Sequence, residues 1–213
     1  MRPAETGMSE PAVVREYAEL ASGYDARWSS YIHASVQETL ARLPRKAGDR
    51  ILDIGCGTGV LLAALAAAND DLQLQGIDPV PEMLAVARQR LPEGAILKAG
   101  WADNLQLPDA SVDTVVSSSV FHYIRDPVAA LAEMHRVLVP GGNLVITDWC
   151  RDFATTRMTD WYFSVFKAAN FRTYGLAELE ALVKDAAFTS VDGQRYKAGW
   201  WWGLMTVTAT RKS

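Results

Sequence analysis

Cysteine and histidine are scarce: the chain has two Cys and three His in 213 residues. Cys56 and Cys150 stand far apart and neither has a neighbour at metal-ligand spacing, so the pattern favours neither a zinc site nor a disulfide framework. His33, His122 and His135 form no cluster with them, and no bound metal is expected. A reducing, cytoplasmic setting is the expectation from this cysteine usage. No apolar run approaches the length of a membrane span. Met1 to Pro11, with Pro3, Glu5, Gly7 and Glu10, holds nothing like the apolar core of a secretory signal, so a soluble protein is expected. Excess basic charge is missing too: 21 Lys and Arg face 25 Asp and Glu, for a net charge of -4. Without a basic cluster the chain has no footprint for gripping a phosphate backbone, which argues against a nucleic-acid partner. Internal repeats and low-complexity segments are also absent. What remains is nearly half apolar and suits one packed domain with a modest cap, without room for a second full domain.

The most informative segment is Ile51-Leu52-Asp53-Ile54-Gly55-Cys56-Gly57-Thr58-Gly59. Ile51, Leu52 and Ile54 read as a buried parallel strand, and the three glycines allow a tight turn and close backbone approach to a ligand before a helix near Val60. A dinucleotide fingerprint would place its third glycine at position 60, which is valine here, and would seat a pyrophosphate on the helix N-terminus. Asp53 would repel a pyrophosphate, whereas it can attract the ammonium group of a methionine moiety directly or through water. S-adenosylmethionine is therefore the leading ligand and NAD is disfavoured. A second apolar strand ends in Gln75-Gly76-Ile77-Asp78, followed by Pro79. An acidic residue about 20 positions past a glycine loop is where such folds hydrogen-bond a ribose diol, so Asp78 is the expected ribose partner.

With these motifs in order, the chain resembles the class I S-adenosylmethionine-dependent methyltransferases, especially the small-molecule group that includes ubiquinone and menaquinone methyltransferases. The likeness spans Tyr17 to Leu144 and extends more weakly to the C-terminus. It rests on Ile51 to Gly59, Gly76 to Met83, Gly100 to Asp109, Val112 to Tyr123, and Glu133-Met134-His135-Arg136-Val137-Leu138-Val139-Pro140-Gly141-Gly142. The resemblance implies that Asp53, Gly55 and Gly57 hold the methionine end, that Cys56 lies with them on the cofactor, and that Asp78 binds ribose. It further implies that Pro79, Met83, Ala102, Asp103 and Ser118 line the cofactor site, with Ala102 and Asp103 against adenine. From the N-terminal segment it adds Tyr24 on the cofactor. Relatives usually carry Gly-Asp-Ala-Glu where this chain has Gly100-Trp101-Ala102-Asp103, so Trp101 replaces a carboxylate expected at the adenine amino group. Two arrangements are open: Asp103 substitutes, or the Ala102 backbone reads the base edge while Trp101 packs beside the ring. Nucleic-acid amino methyltransferases usually place Asn-Pro-Pro-aromatic where Ser117-Ser118-Ser119-Val120 stands, which further disfavours a base as substrate.

Along the chain, helical spacing predicts helices over Ser9 to Ala21 and Ser29 to Leu43, and the family uses such a segment as a lid. Strands are expected at Arg50 to Ile54, Leu72 to Asp78, Ala95 to Ala99, Val112 to Ser118 and Asn143 to Asp148. Helices are expected at Val60 to Ala68, Pro81 to Leu91 and Pro127 to Leu138, the last closed by Pro140-Gly141-Gly142. Such alternation forces parallel pairing with crossover helices on both faces. A helix at Leu176 to Ala187 and two period-two segments, Thr189 to Tyr196 and Leu204 to Thr210, complete the pattern as an antiparallel edge hairpin. The expected fold is α/β: a Rossmann-like, doubly wound, mostly parallel seven-stranded sheet with an edge hairpin and an N-terminal helical lid. Within one domain, residues 1–45 form the lid, 46–148 the cofactor-binding core, 149–175 an aromatic insertion, and 176–213 the C-terminal helix and hairpin.

The insertion carries Trp149, Phe153, Trp161, Tyr162, Phe163, Phe166 and Phe171 and follows the fifth strand at the crevice end of the sheet. It either walls a substrate pocket, with Trp149 and Trp161 joined by Tyr17 of the lid, or supplies an ordinary buried helix face. Trp200-Trp201-Trp202 cannot turn every ring to one side of a strand, so one of them is expected exposed or against a partner chain, and a homodimer stays open. A sulfonium cofactor is already activated, so transfer to a small aromatic or quinone-like acceptor mainly needs positioning. A base is required only if the acceptor must lose a proton, and the crevice candidates are His122, Tyr123 and Asp148. Because fold does not fix function, a non-methylating pericyclase-like catalyst or a cofactor-sensing protein stands as the alternative.

Overall fold

The strand segments at 51–54, 114–117 and 144–149 are buried on both faces, so the intervening helices must cover the centre of the sheet. The computed structural model describes residues 10–68, 71–159, 172–199 and 201–213. Its strands are β1 (Arg50–Ile54), β2 (Gln73–Asp78), β3 (Ile96–Ala99), β4 (Val112–Ser118), β5 (Leu138–Trp149), β6 (Phe188–Ala198) and β7 (Trp202–Arg211). They form one sheet in the order β3-β2-β1-β4-β5-β7-β6. The first five in that order pair in parallel, and β7 runs antiparallel between β5 and β6. This is the Rossmann-like sheet with an antiparallel edge hairpin that the alternation predicts.

Period two sorts the strand side chains between two cores. Ile51, Val116 and Val145 pack with Val36 of helix α2 (Tyr24–Arg42), Leu62 and Leu65 of α3 (Val60–Ala67) and Leu84 of α4 (Pro81–Arg90). Leu52, Val115, Leu144 and Ile146 pack instead with Leu131 and Met134 of α5 (Pro127–Val137) and with Leu179 and Val183 of α6 (Leu176–Asp185). Full burial of one such side chain contributes roughly 1.5–3 kcal/mol, so packing on both faces stabilises the sheet. After β3 the chain crosses back past β1 to place β4 on its other side, and a crevice opens at the carboxyl ends of β1 and β4. Helices α1 (Glu10–Leu20) and α2 precede the sheet, with α1 packed on α4 and α2 packed on α3, β4, β5 and the hairpin.

Two boundaries differ from the sequence expectation by more than two residues. Helix α2 starts at Tyr24 rather than Ser29, with one non-helical residue, Trp28, at φ -113° and ψ 17°. Tertiary ties hold this extra turn: Asp25 accepts from Thr58 Oγ1 at 2.7 Å and pairs with Arg90, while Tyr24 packs on Tyr17. Strand β5 starts at Leu138 rather than Asn143. Leu138 pairs with Val112, residues 139–142 bulge outward with Gly141 at φ +78°, and pairing resumes at Thr114 and Asn143. The Arg211 guanidinium donates to the Leu138 and Arg136 carbonyls, which secures a segment that Pro140-Gly141-Gly142 would otherwise end.

In the aromatic insertion, Trp149 ends β5, residues 154–159 are helical, and Tyr174 returns to the core in a bridge with Cys150. Trp161, Tyr162, Phe163, Phe166 and Phe171 lie outside the described residues, as does Trp200. Trp201 is half-buried in the hairpin turn, and Trp202 packs against Tyr31 at 5.0 Å and Trp149 at 5.7 Å between ring centroids.

Candidate functional site

The crevice is built on the loop that leaves β1. Gly55 and Cys56 donate their amides to the Ile77 carbonyl at 2.7 and 3.1 Å, so the loop folds over the end of β2. A side chain at Gly55 is impossible, because its Cβ would sit 2.5 Å from the Val120 methyls and φ is +73°. Gly57 is also left-handed, at φ +52°, yet nothing lies within 4 Å of where its Cβ would be. The first glycine is needed for packing, whereas the second leaves open space beside the backbone.

Asp78 closes β2 with its carboxylate gripped by two amides: Gly57 N–H to Oδ2 and Val80 N–H to Oδ1, both at 2.9 Å. Burial raises its pKa, and the two amide bonds oppose that rise. A carboxylate has about four lone-pair sites, so roughly two stay open for a pair of adjacent hydroxyls. Asp53 is different. It is 2% exposed, and among the described residues it has neither a hydrogen-bond donor nor a cation beside it. Burial first, and the nearby Asp78 second, push its carboxyl up to about 8. A positively charged ligand group would reverse that shift.

The turn after β3 forms the next side. Gly100 N–H donates to the Asp78 carbonyl at 3.3 Å, and Trp101 bridges to Asn104 at the rim, 37% exposed. Opposite stand Ser118, Ser119 and Val120 from the end of β4, and above them Tyr17, Tyr24 and Tyr31 from the first two helices. Tyr17 donates its hydroxyl to Tyr123 at 3.0 Å, and Tyr31 donates to Ser119 Oγ at 2.7 Å. Desolvation raises the pKa of all four phenols, that of Tyr24 to about 12, so they act as neutral donors rather than bases near pH 7.

One pocket thus gathers Tyr17, Tyr24, Asp53, Gly55, Cys56, Gly57, Asp78, Pro79, Met83, Ala102, Asp103 and Ser118. His122 and Trp149 are not on its described wall, and Trp161 lies outside the described residues. His122 sits in a 3-10 turn, Phe121–Tyr123, 5% exposed, with Nδ1 2.6 Å from Asp148 Oδ1 and its backbone amide donating to Oδ2 at 2.9 Å. Its ring stacks on Trp149 at 5.5 Å. Tyr31 and Ser119 line the pocket without having been marked by the sequence. A tyrosine at helical spacing and one serine in a run of three carry no local sign of such a place. Among the described residues no His, Cys, Asp or Glu group is arranged to hold a metal, and no helix is long and apolar enough to cross a membrane. The arrangement can hold a ligand that combines a vicinal diol, a cationic group and a flat apolar ring, in a pocket that also bears Tyr17, Tyr24 and Tyr31.

Residues 52–146 match the family model described as a methyltransferase domain. An uncharacterized methyltransferase of Mycobacterium tuberculosis is 42% identical over 106 residues, which cover 50% of this chain and 42% of that protein. A demethylmenaquinone methyltransferase of Deinococcus radiodurans is 37% identical over 133 residues, covering 61% of this chain and 52% of that protein. The chain spans about half the length of the curated relatives it matches. Among solved structures, a chain of a Haloferax volcanii complex that contains the Trm112 methyltransferase activator superposes with a TM-score of 0.82 at 23% identity, over 93% of this chain and 98% of that one. At that identity the likeness establishes the fold. Residues 52–146 are thus similar to a methyltransferase domain, the fold is the Rossmann-like one of solved S-adenosylmethionine-dependent methyltransferases, and the sequence resembles the ubiquinone and menaquinone methyltransferases.

Proposed function

We propose that this chain is an S-adenosylmethionine-dependent methyltransferase whose acceptor is a small, apolar, aromatic or quinone-like molecule. The observation that carries the proposal is the contrast between two buried carboxyls in one pocket. Asp78 is oriented by two amides and suits the ribose hydroxyls, while Asp53 lacks the positive charge that the aminoacyl ammonium would bring. The open space beside Gly57 suits close approach of the methionine end, with Gly55 and Cys56 holding the loop. Ala102 and Asp103 border the adenine position, Trp101 covers its rim, and Pro79, Met83 and Ser118 complete the lining. The demethylmenaquinone methyltransferase among the relatives supports the acceptor class.

When bound, S-adenosylmethionine supplies a methyl group already activated on a sulfonium centre. The protein's share is alignment and exclusion of water. Helices α1 and α2 serve as the lid, and Tyr17, latched to Tyr123, keeps water from the acceptor space with Tyr24 beside it. His122, buried against Asp148 and Trp149, serves as a base only for an acceptor that must lose a proton, and it needs a path from behind the described wall. Trp149 then acts through Tyr31 rather than by touching the acceptor, as the sequence led one to expect. The test is incubation of purified protein with methyl-labelled cofactor and a panel of phenols, quinols and amines. Label in a small aromatic product is the expected result. Tight cofactor binding without transfer to any of them would instead support a non-methylating catalyst or a cofactor sensor.

A further inference from the structure

A hydrogen-bond chain of fixed direction ends in the pocket. Trp149 Nε1 donates to the Tyr31 hydroxyl at 2.5 Å, and Tyr31 donates to Ser119 Oγ at 2.7 Å. An indole N–H can only donate, so the Tyr31 oxygen is taken as an acceptor and its own proton points to Ser119. Ser119 Oγ then accepts, and its O–H is left to give. Among the described residues no acceptor takes it, and Ser119 lines the pocket.

The chain is held rigidly. Trp149 packs edge-on to Tyr31 at 5.8 Å and lies against Trp202 and His122 at 5.7 and 5.5 Å. Burial keeps the Tyr31 phenol protonated and hence a donor. Ser119 itself has φ +63°, a left-handed conformation that a non-glycine residue adopts at a cost. Such strain persists where the surroundings impose it, and it concentrates at ligand sites. The chain also polarises the last hydroxyl, since each bond strengthens the next.

We infer that Ser119 donates a hydrogen bond to an oxygen of the methyl acceptor, and so selects carbonyl- or phenol-bearing aromatic compounds over hydrocarbons of the same shape. This rests on the methyl-transfer reading of the pocket. The polar groups of the cofactor find partners on the β1 and β2 side, at Asp53, Asp78 and the loop, whereas Ser119 stands on the β4 side beneath the tyrosine roof. The alternative recipient for the same donor is the carboxylate of the cofactor, and the test separates the two.

The experiment is calorimetric titration of 1-tetralone and tetralin, one bicyclic skeleton with and without a carbonyl oxygen, into protein saturated with S-adenosylhomocysteine. Ser119→Ala is expected to shift the affinity ratio of ketone to hydrocarbon against the ketone by about tenfold, with S-adenosylhomocysteine affinity unchanged. Ser119→Gly should shift the ratio equally while raising the melting temperature, because it relieves the left-handed strain and shows that the loss is not misfolding. An unchanged ratio in both variants overturns the inference, and so does a matching loss of S-adenosylhomocysteine affinity, which would assign the donor to the cofactor. Probe binding needs no turnover. A protein with the Ser119-dependent ratio that transfers no label therefore contradicts the enzyme reading, and with it the methyl acceptor, while Ser119 remains the donor to a carbonyl-bearing ligand.

Discussion

On the β1 and β2 side the pocket is made largely of backbone: loop amides folded over Ile77, two left-handed glycines, and a carboxylate locked by the Gly57 and Val80 amides. On the β4 side it is made of side chains: hydroxyls of Ser119, Tyr17, Tyr31 and Tyr123, with rings from helices far away in sequence. The first wall comes from short segments whose geometry the sheet dictates. The second comes from long-range assembly, in which Tyr31 meets Ser119 across 88 positions and Trp149 across 118. A wall of backbone amides and carboxylates suits a constant ligand, and a wall of side-chain rings and hydroxyls suits a ligand that single substitutions can change.

Breaking the first wall should have the largest effect. Gly57→Val puts a β-branched side chain at φ +52° and into the open space beside the loop, and should cut S-adenosylhomocysteine affinity by on the order of 100-fold or more in calorimetry. Asp78→Ala removes the expected ribose acceptor and also strips the Gly57 and Val80 amides of their partner. A loss of about 2 kcal/mol or more in cofactor binding is expected, read by the same titration.

Asp53 sharpens the comparison through pH. Its folded pKa, about 8, lies above the ordinary 3.8, so the folded protein holds a proton that the unfolded chain has released between these values. Stability of the unliganded protein should therefore fall as pH rises from near 4 to about 8, by at most about 1.4 kcal/mol per pH unit, and then level off. Asp53→Asn, neutral throughout, should lack this slope in thermal melts taken across the window.

The contrast between the walls also explains what could be read in advance. The alternation of strands and helices, the glycine loop and the acidic strand end are local patterns, and they led to residues that line one pocket. The early start of β5 could not be read from Pro140-Gly141-Gly142, because it depends on Val112 pairing and on Arg211 bonding two carbonyls. The extra turn of α2 depends on Asp25 meeting Thr58 and Arg90. His122 follows the fourth strand and so reads as a crevice residue, yet the 3-10 turn directs its ring to Asp148 and Trp149. Ser119 and Tyr31 acquire their place only through each other.

Smaller effects are expected at the rim and roof. Trp101→Ala should weaken S-adenosylhomocysteine binding several-fold, whereas Trp101→Asp, which offers a carboxylate to the adenine amino group, should keep affinity within about tenfold of wild type. A silent alanine variant would leave Trp101 as rim packing alone. Tyr17→Phe removes only the hydroxyl that latches to Tyr123 and should raise the acceptor KM by about twofold to fivefold, with cofactor affinity unchanged, in steady-state kinetics.

The most direct test of the central claim, that Asp53 and Asp78 receive the two ends of an S-adenosylmethionine-type ligand, is titration of wild type and Asp53→Asn with S-adenosylhomocysteine at pH 7 in two buffers of different ionisation enthalpy. The ligand ammonium should draw the Asp53 carboxyl back to its charged form. Wild type is then predicted to release about one proton per ligand bound, and the asparagine variant to release none and bind more weakly. Equal affinity in the two proteins, with heats independent of the buffer, would contradict it.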